Sequence, residues 1–328
     1  MGLYEELKSI EPFTLSGHGD ADGVYSSAIL KRIFKVKEEE KDAKGITIRF
    51  GVKFPEFGFY DTQVAVDLGF PENKEWSGIC IDHHPDHPED RKYKLYWDHC
   101  PTGLVLYNHL KDHLKPEDLW LVVGSLTGDG QAELVPDEIW ESNPDLLCGR
   151  GVLYKNQYGK LGTSSTLLYK FLSSGVNSLC RMGFPEQALE VLGNITNPVE
   201  LLENGVVVNA VEQMRAEKEA IFDKRKSKPA IVESLGNFAL VRIKTSRPEI
   251  KLVSVLATEL SITDNNVTYV VLNEANGHAS IRGDLAKLLA NRLSRAGFKA
   301  GGHAGYAAVQ APLDKLDDLI EAIRSCSK

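Results

Sequence analysis

Residues 13–23 read Phe13-Thr14-Leu15-Ser16-Gly17-His18-Gly19-Asp20-Ala21-Asp22-Gly23, and the fold turns on how this stretch is taken. Residues 13–16 have the apolar, β-prone character of a short strand. They run straight into an imidazole and two carboxylates at alternate positions, His18, Asp20 and Asp22. Alternate residues of an extended segment point the same way, so a loop leaving a strand can aim several of them at one place. Gly23 permits a tight turn into residues 24–34, where Val24, Ala28, Ile29 and Ile33 recur at helical spacing. The plainer alternative is a polar turn that caps the helix, with an Asp as N-cap.

The pattern repeats downstream. Residues 46–50, 64–68 and 79–81 are short apolar runs, and the last two end at or beside an acid: Asp67, then Asp82-His83-His84-Pro85. Residues 102–109 read as a helix, and residues 119–123 read as another buried strand, with Asp129 following in Gly124-Ser125-Leu126-Thr127-Gly128-Asp129-Gly130. Alternation of strand and helix predicts an α/β domain whose parallel sheet carries helices on both faces. In such open sheets ligands sit outside the carboxyl ends of the strands. The His18, Asp67 and Asp82 motifs all fall at such ends.

Imidazole mixed with carboxylate suits Mn, Co, Fe or Zn, whereas Mg usually prefers oxygen alone. A carboxylate can bridge two metals, and two metals roughly 3.5–4 Å apart clamp the attacking and leaving oxygens of a phosphoryl displacement. Asp67 alone is weak, because Asp before Leu-Gly is also turn chemistry. Two adjacent histidines behind an apolar strand are a stronger signal. Asp129 can complete the set.

Bulk properties bound the partners. The chain has 328 residues, 42% hydrophobic and 26% charged, which supports a sizeable core and an expectation of two domains. A net charge of −8 argues against long duplex DNA as the main partner, because that binding relies on many Lys and Arg contacts to phosphate. Five scattered cysteines, with no Cys-x-x-Cys pair, read as reduced structural thiols. No signal peptide is read in the first residues, and no apolar run approaches the ~20 residues of a membrane helix. The expectation is a cytoplasmic protein without membrane contact.

Residues 136–162, rich in Gly, Pro and Asn, read as an excursion from the sheet. A helical region is expected over 163–226, its charged end at 209–228 read as a solvated connecting helix. Lys228-Pro229 marks a boundary, because the residue before proline is pushed away from helix. Strands are expected at 238–243, 267–272, 279–282 and 305–309, with Asn276-Gly277 as a hairpin turn. Leu285, Leu288, Leu289 and Leu293 form one helical stripe, and residues 313–323 another. The division expected is therefore 1–200, a helical linker over 201–229, and a smaller α/β domain over 230–328.

The order His-x-Asp-x-Asp-Gly, then Asp-Leu-Gly, then Asp-His-His, then a further Asp, resembles the DHH phosphoesterases. Gly301-Gly302-His303-Ala304-Gly305-Tyr306 is similar to the glycine-rich histidine motif of their DHHA1 domain, and Ser280-Ile281-Arg282 to the arginine-bearing strand before it. Two glycines precede His303 where many relatives carry three, and Tyr306 is bulky for its place. The basic signature of the pyrophosphatase branch is absent, so pyrophosphate is disfavoured as substrate.

The resemblance implies a DHH domain followed by a DHHA1 domain, with two divalent cations, Mn2+ first and Mg2+ or Co2+ as alternatives. It makes His18 and Asp20 ligands of one metal, Asp22, His83 and Asp129 ligands of the other, and Asp67 the bridge. His84 faces the scissile phosphate, and Asp82 orients a neighbouring imidazole. Arg282 and His303 hold substrate, with the backbone of Gly301 and Gly302 close to it. The implied activity is hydrolysis of short oligonucleotides, adenosine 3′,5′-bisphosphate or linear dinucleotides. A RecJ-like single-strand DNA exonuclease, a cyclic-dinucleotide phosphodiesterase and a non-catalytic scaffold are the alternatives. The expected partners are short single-stranded RNA or DNA, or a nucleotide, and a homo-oligomer is the assembly to consider.

Overall fold

The computed structural model describes residues 2–34, 46–51, 63–69, 75–85, 87–155, 161–222, 231–303 and 305–326. The boundary expected at Lys228-Pro229 and the charges of Lys224 to Lys226 lie outside the described residues. The chain divides into two compact units, Met1–Val211 and Glu212–Lys328.

The first unit is built on five parallel strands, β1 (Thr14–His18), β2 (Thr47–Gly51), β3 (Val64–Val66), β4 (Ile79–Asp82) and β5 (Lys94–Trp97), in the order β2-β1-β3-β4-β5. The central runs Val64-Ala65-Val66 and Ile79-Cys80-Ile81 are apolar throughout because both faces of the sheet are covered. Val64, Val66, Ile79 and Ile81 face the main core, while Ala65 and Cys80 face a smaller cluster with Leu68, Trp76 and Tyr93. Strand β5 is not among the elements expected from the sequence. It lies at the edge, with Lys94 and Trp97 exposed and Tyr96 buried, so it lacks the continuous apolar run of a central strand.

Around this sheet come α1 (Leu3–Ser9), α2 (Ala21–Ile33), α3 (Thr102–Leu110), α4 (Trp120–Gly128), α5 (Asp137–Ser142), α6 (Leu168–Arg181), α7 (Pro185–Asn194) and α8 (Gly205–Phe222), the last crossing the division between units. A hairpin of β6 (Gly149–Lys155) and β7 (Leu161–Leu167) precedes α6, so residues 163–167 are strand where the sequence reads as helix.

Residues 119–123 are a second correction. They do not form a strand; residues 120–123 open helix α4. The run Leu119-Trp120-Leu121-Val122-Val123 is apolar on every side, and a helix packed all round shows no amphipathic period to separate it from a buried strand. Helix α4 is such a helix, packed against α2, α3 and α6 and buried from Trp120 through Leu126. Small residues allow the approach. A Cβ at Gly124 would stand 2.4 Å from the Tyr25 ring, and one at Gly103 of α3 would stand 2.1 Å from Ser125 Oγ.

The second unit is a six-stranded mixed sheet of β8 (Ile231–Leu235), β9 (Phe238–Ile243), β10 (Thr268–Asn273), β11 (His278–Gly283), β12 (Lys299–His303) and β13 (Gly305–Gln310), ordered β12-β13-β11-β10-β9-β8. Its strands are antiparallel except for the pair β9 and β10. One face carries α10 (Ala286–Arg295) and α11 (Leu316–Ser325), whose Leu289, Leu293, Leu319 and Ile323 pack on Leu240, Val270 and Ile281. Helix α9 (Val253–Thr263) packs across β10 and β11. The expected turn at Asn276-Gly277 joins β10 to β11, with Gly277 in the left-handed region at φ 69°. Both α/β expectations, a parallel first sheet and a smaller second domain, are met.

Replacing Gly124 by Ala should destabilise the first unit by about 1–3 kcal/mol through overpacking against Tyr25. Urea unfolding should show a lower midpoint with an unchanged slope; an unchanged midpoint would contradict the packing described.

Candidate metal centre

The strand order places β1 between β2 and β3, so the connection leaving β1 runs one way to β2 and the connection leaving β3 runs the other way to β4. That is the switch point at which an open α/β sheet leaves a crevice. The three short motifs arrive there. Strand β1 ends on His18, β3 stops one residue before Asp67, and β4 ends on Asp82 with His83 and His84 next.

Asp20 serves both readings considered from the sequence. It is the N-cap of α2, accepting from the Gly23 amide at 3.1 Å through Oδ1, while Oδ2 lies 2.7 Å from His18 Nδ1. Gly23 matters for a different reason from the one expected. It lies within the helix, and a Cβ there would stand 2.2 Å from the His18 carbonyl oxygen, so close approach rather than a turn requires glycine.

Asp67 is the one non-glycine residue with positive φ, at 60°, among the described residues. A left-handed conformation costs a residue with a Cβ about 1–2 kcal/mol, less for Asp and Asn, whose short polar side chains suit it. The Asp67 amide donates to Ile81 O at 3.0 Å, which holds the conformation in place. Its side chain is 2% exposed and faces two ways: Oδ1 lies 3.2 Å from His83 Nε2, and Oδ2 lies 3.6 Å from His18 Nδ1.

Asp22 is fully buried at the start of α2 and ties three helices together. Its Oδ2 accepts from the Thr102 amide at 2.9 Å, at the N-terminus of α3, and its Oδ1 accepts from Ser125 Oγ of α4 and from Ser26 Oγ. Asp129, expected after a strand, instead caps the C-terminus of α4. His83 Nε2 joins the two, 3.3 Å from Asp129 Oδ2 and 3.8 Å from Asp22 Oδ2.

Asp82 is also fully buried, with Oδ1 2.8 Å from His84 Nδ1 and Oδ2 2.8 Å from His87 Nε2. His87 is not among the expected site residues, and it is the functional candidate that sequence reasoning undervalues. Its position five residues past Asp82 carries no signal beyond proximity. His99, His109 and His113 are set against Trp97, Tyr96 and Tyr4, as structural histidines are.

The electrostatics follow from four carboxylates converging, two of them, Asp22 and Asp67, buried. Burial and the Asp67 charge push the Asp22 carboxyl up to about 7, against the opposing pull of His83. Burial with Asp22 and Asp67 pushes Asp129 up to about 9. Burial opposes charge on His83, but Asp67, Asp22 and Asp129 outweigh it and hold the imidazole up to about 10. Asp20 and Asp82 go the other way: burial is overcome by His18 at Asp20 and by His84 and His87 at Asp82, and both sit well below the usual carboxylate range.

Three overlapping groups of donor atoms lie here. His18, Asp20 and Asp67 offer donor atoms within 4.8 Å of one another, as do Asp22, His83 and Asp129, and Asp67, His83 and His84 form a third, overlapping group. Among the described residues these acids have imidazole, hydroxyl and amide neighbours but no Lys or Arg ion pair. The donor set and its excess negative charge fit divalent cations.

In the second unit, Arg282 of β11 stands opposite Tyr306 of β13, its guanidinium carbon 3.7 Å from the ring centroid. Arg282 Nε donates to Thr258 Oγ1 at 3.2 Å, and Nη1 donates to Ser280 Oγ at 2.8 Å and to the Ile281 carbonyl at 3.1 Å. Tyr306, bulky for its place, is thus the platform on which Arg282 lies. Gly301, Gly302 and His303 end β12, and a Cβ at Gly302 would stand 2.3 Å from Tyr306 O.

No family model and no curated protein matches the sequence. Solved structures do. RecJ from Thermus thermophilus, in complex with Mn2+, superposes with a TM-score of 0.68 at 15% identity, over 99% of this chain and 53% of that one. A second RecJ, an exonuclease bound to manganese, gives 0.66 at 15% identity over 99% of this chain and 92% of that one. The DHH domain of a member of a ribosomal-protein family gives 0.62 at 15% identity over 96% and 86%. The chain has the DHH-domain fold. It spans about half the length of the Thermus RecJ chain.

The raised acids make stability depend on pH. Between the unfolded carboxylate value of about 3.9 and the raised values of Asp22 and Asp129, the metal-free folded state holds protons that the unfolded state releases. Stability without metal should therefore fall as pH rises from about 5 to about 8, and His83 adds a loss of the same sign above about 6.5. Melting temperatures in EDTA should drop over that range, and Mn2+ should raise the melting temperature more at about pH 8 than at about pH 6. A flat or rising profile in EDTA would contradict the charge balance.

Asp67→Asn keeps a residue suited to the left-handed backbone and removes the central charge. Mn2+ affinity should fall by more than about 100-fold, beyond the typical cost of losing a ligand's hydrogen-bond partner, with the EDTA melting temperature unchanged or higher. Calorimetric titration showing wild-type Mn2+ binding would remove Asp67 from the site.

Proposed function

We propose that the chain is a two-metal phosphoesterase that hydrolyses phosphodiester bonds in short oligonucleotides or linear dinucleotides, with adenosine 3′,5′-bisphosphate as a related substrate. The observation that carries this is Asp67, one oxygen directed to the His83 side and the other to the His18 side. In this reading His18 and Asp20 would hold one ion, Asp22, His83 and Asp129 would hold the other, and Asp67 would serve both. Mn2+ is the favoured cation, consistent with mixed imidazole and carboxylate donors, with Mg2+ or Co2+ as alternatives. Bound ions would supply an activated water and charge neutralisation at the phosphoryl oxygens.

The residues of the chain do the rest. His84, with Nδ1 engaged by Asp82, meets the scissile phosphate through Nε2 and can pass a proton there. Arg282, held flat on Tyr306, offers a fixed positive charge to a substrate phosphate. The Gly301 and Gly302 backbone and His303 complete the substrate contacts in this reading. The burial of Asp22 and Asp67 keeps bulk water from these two carboxylates.

The net charge of −8 favours short substrates, because long single strands bind through many basic contacts. The likeness to RecJ in fold keeps a single-strand exonuclease as the second reading. A panel of RNA and DNA of graded length, scored for initial rate with Mn2+, separates them. The first reading expects the highest rates on chains of a few nucleotides and weak salt dependence. Rates that hold or rise with length and fall steeply with salt would favour the RecJ-like reading. No turnover together with no Mn2+ binding would leave a scaffold.

A further inference from the structure

We infer that His87, backed by Tyr93, is a positioning residue that fixes the Asp82 carboxylate and, through it, the ring of His84. Three hydrogen bonds run in series from the site into the core. Asp82 Oδ1 meets His84 Nδ1, Asp82 Oδ2 meets His87 Nε2, and His87 Nδ1 meets the Tyr93 hydroxyl, each at 2.8 Å. Asp82 is fully buried, and the His87 side chain is 5% exposed. One ring nitrogen meets each oxygen of the buried carboxylate, which places His84 Nδ1 and His87 Nε2 as N–H donors to it. With Nε2 donating, Nδ1 of His87 faces the Tyr93 hydroxyl.

The chain of bonds has a rigid anchor. Tyr93 packs beside Trp76, ring centroids 5.4 Å apart, in the cluster on the sheet face away from the main core. His84, at the opposite end, is the more exposed ring. A carboxylate with one oxygen bound can swing about its Cβ–Cγ bond, and one bound at both oxygens cannot. Residues that orient a ligand or catalytic imidazole through a carboxylate typically contribute about 10–100-fold in activity. Here the orienting carboxylate is itself oriented, which selects the His84 tautomer with Nε2 turned to substrate.

The kinetic half of the test rests on the phosphoesterase reading; the spectroscopic half does not. The probe is a linear diribonucleotide with Mn2+, and the variants of the full chain are His87→Leu, His87→Gln and Tyr93→Phe. Leu donates nothing, while the Gln amide can still donate to Asp82. His87→Leu should lower kcat by about 10–100-fold with KM changed less than about threefold. His87→Gln should recover most of that loss, and Tyr93→Phe should fall between. Long-range 1H–15N spectra of the metal-free protein should show His84 protonated at Nδ1 in the wild type and in His87→Gln, and a tautomer mixture in His87→Leu.

Equal losses in the Leu and Gln variants with unchanged His84 spectra would overturn the inference, as would a His87→Leu variant with wild-type kcat and spectra. If the wild type cleaves no dinucleotide, the phosphoesterase reading fails while the spectra still decide the positioning role. Cys80 Sγ also lies within reach of Asp82 and His87. A further equivalent of Zn2+ or Mn2+ that Cys80→Ser abolishes would overturn the inference in favour of a metal there.

Discussion

Mutual repulsion among buried carboxylates is the constraint to which the first unit is built. Asp22 and Asp67 are buried, and the partly exposed Asp20 and Asp129 converge on them together with His18, His83 and His84. Left alone, such a group would expand or take up protons. The fold prevents expansion by fixing acids to backbone or hydroxyl donors: Asp22 to the start of α3 and to α4, Asp20 to the start of α2. What remains is uptake of protons or of cations, and the two compete for the same oxygens.

The sheet makes this concentration of charge possible. At the switch point between β1 and β3, neighbouring strand ends deliver residues to one crevice while their connections leave in opposite directions. The close packing of α2, α3 and α4 supplies the donors, and it depends on glycine and serine where larger residues would hold the helices apart. Asp67 adds a local strain that the neighbouring Ile81 carbonyl offsets. In the second unit a different balance operates: Arg282 gives up freedom to lie on Tyr306, so its charge is aimed by a ring face.

Much of this is readable from the amino acids. The strands at β1, β3, β4 and β9 stand out because buried runs bounded by polar motifs have few other uses. Asp20 can be read as cap or as ligand, and it is a cap with its second oxygen turned to His18. Three failures have physical causes. Helix α4 is apolar all round, so Asp129 caps a helix where the sequence reads as a strand followed by a loop. Strand β5 is an edge strand and half exposed. His87 and Tyr93 act through hydrogen bonds made only once β4 and the following loop are folded, which no spacing rule encodes. Tyr306, at odds with its motif, makes sense only across the β11–β13 register.

The different ways in which Asp22 and Asp67 are held bear on how such a chain can change over generations. An Asp codon becomes an Asn codon by one nucleotide change. At Asp67 that step keeps a residue at home in the left-handed backbone and relieves charge, so a folded descendant with a less acidic centre is one mutation away. At Asp22 the same step disturbs the contacts that join α2, α3 and α4. Loss of charge with retention of shape therefore has an open route through Asp67 and a closed one through the helix junction.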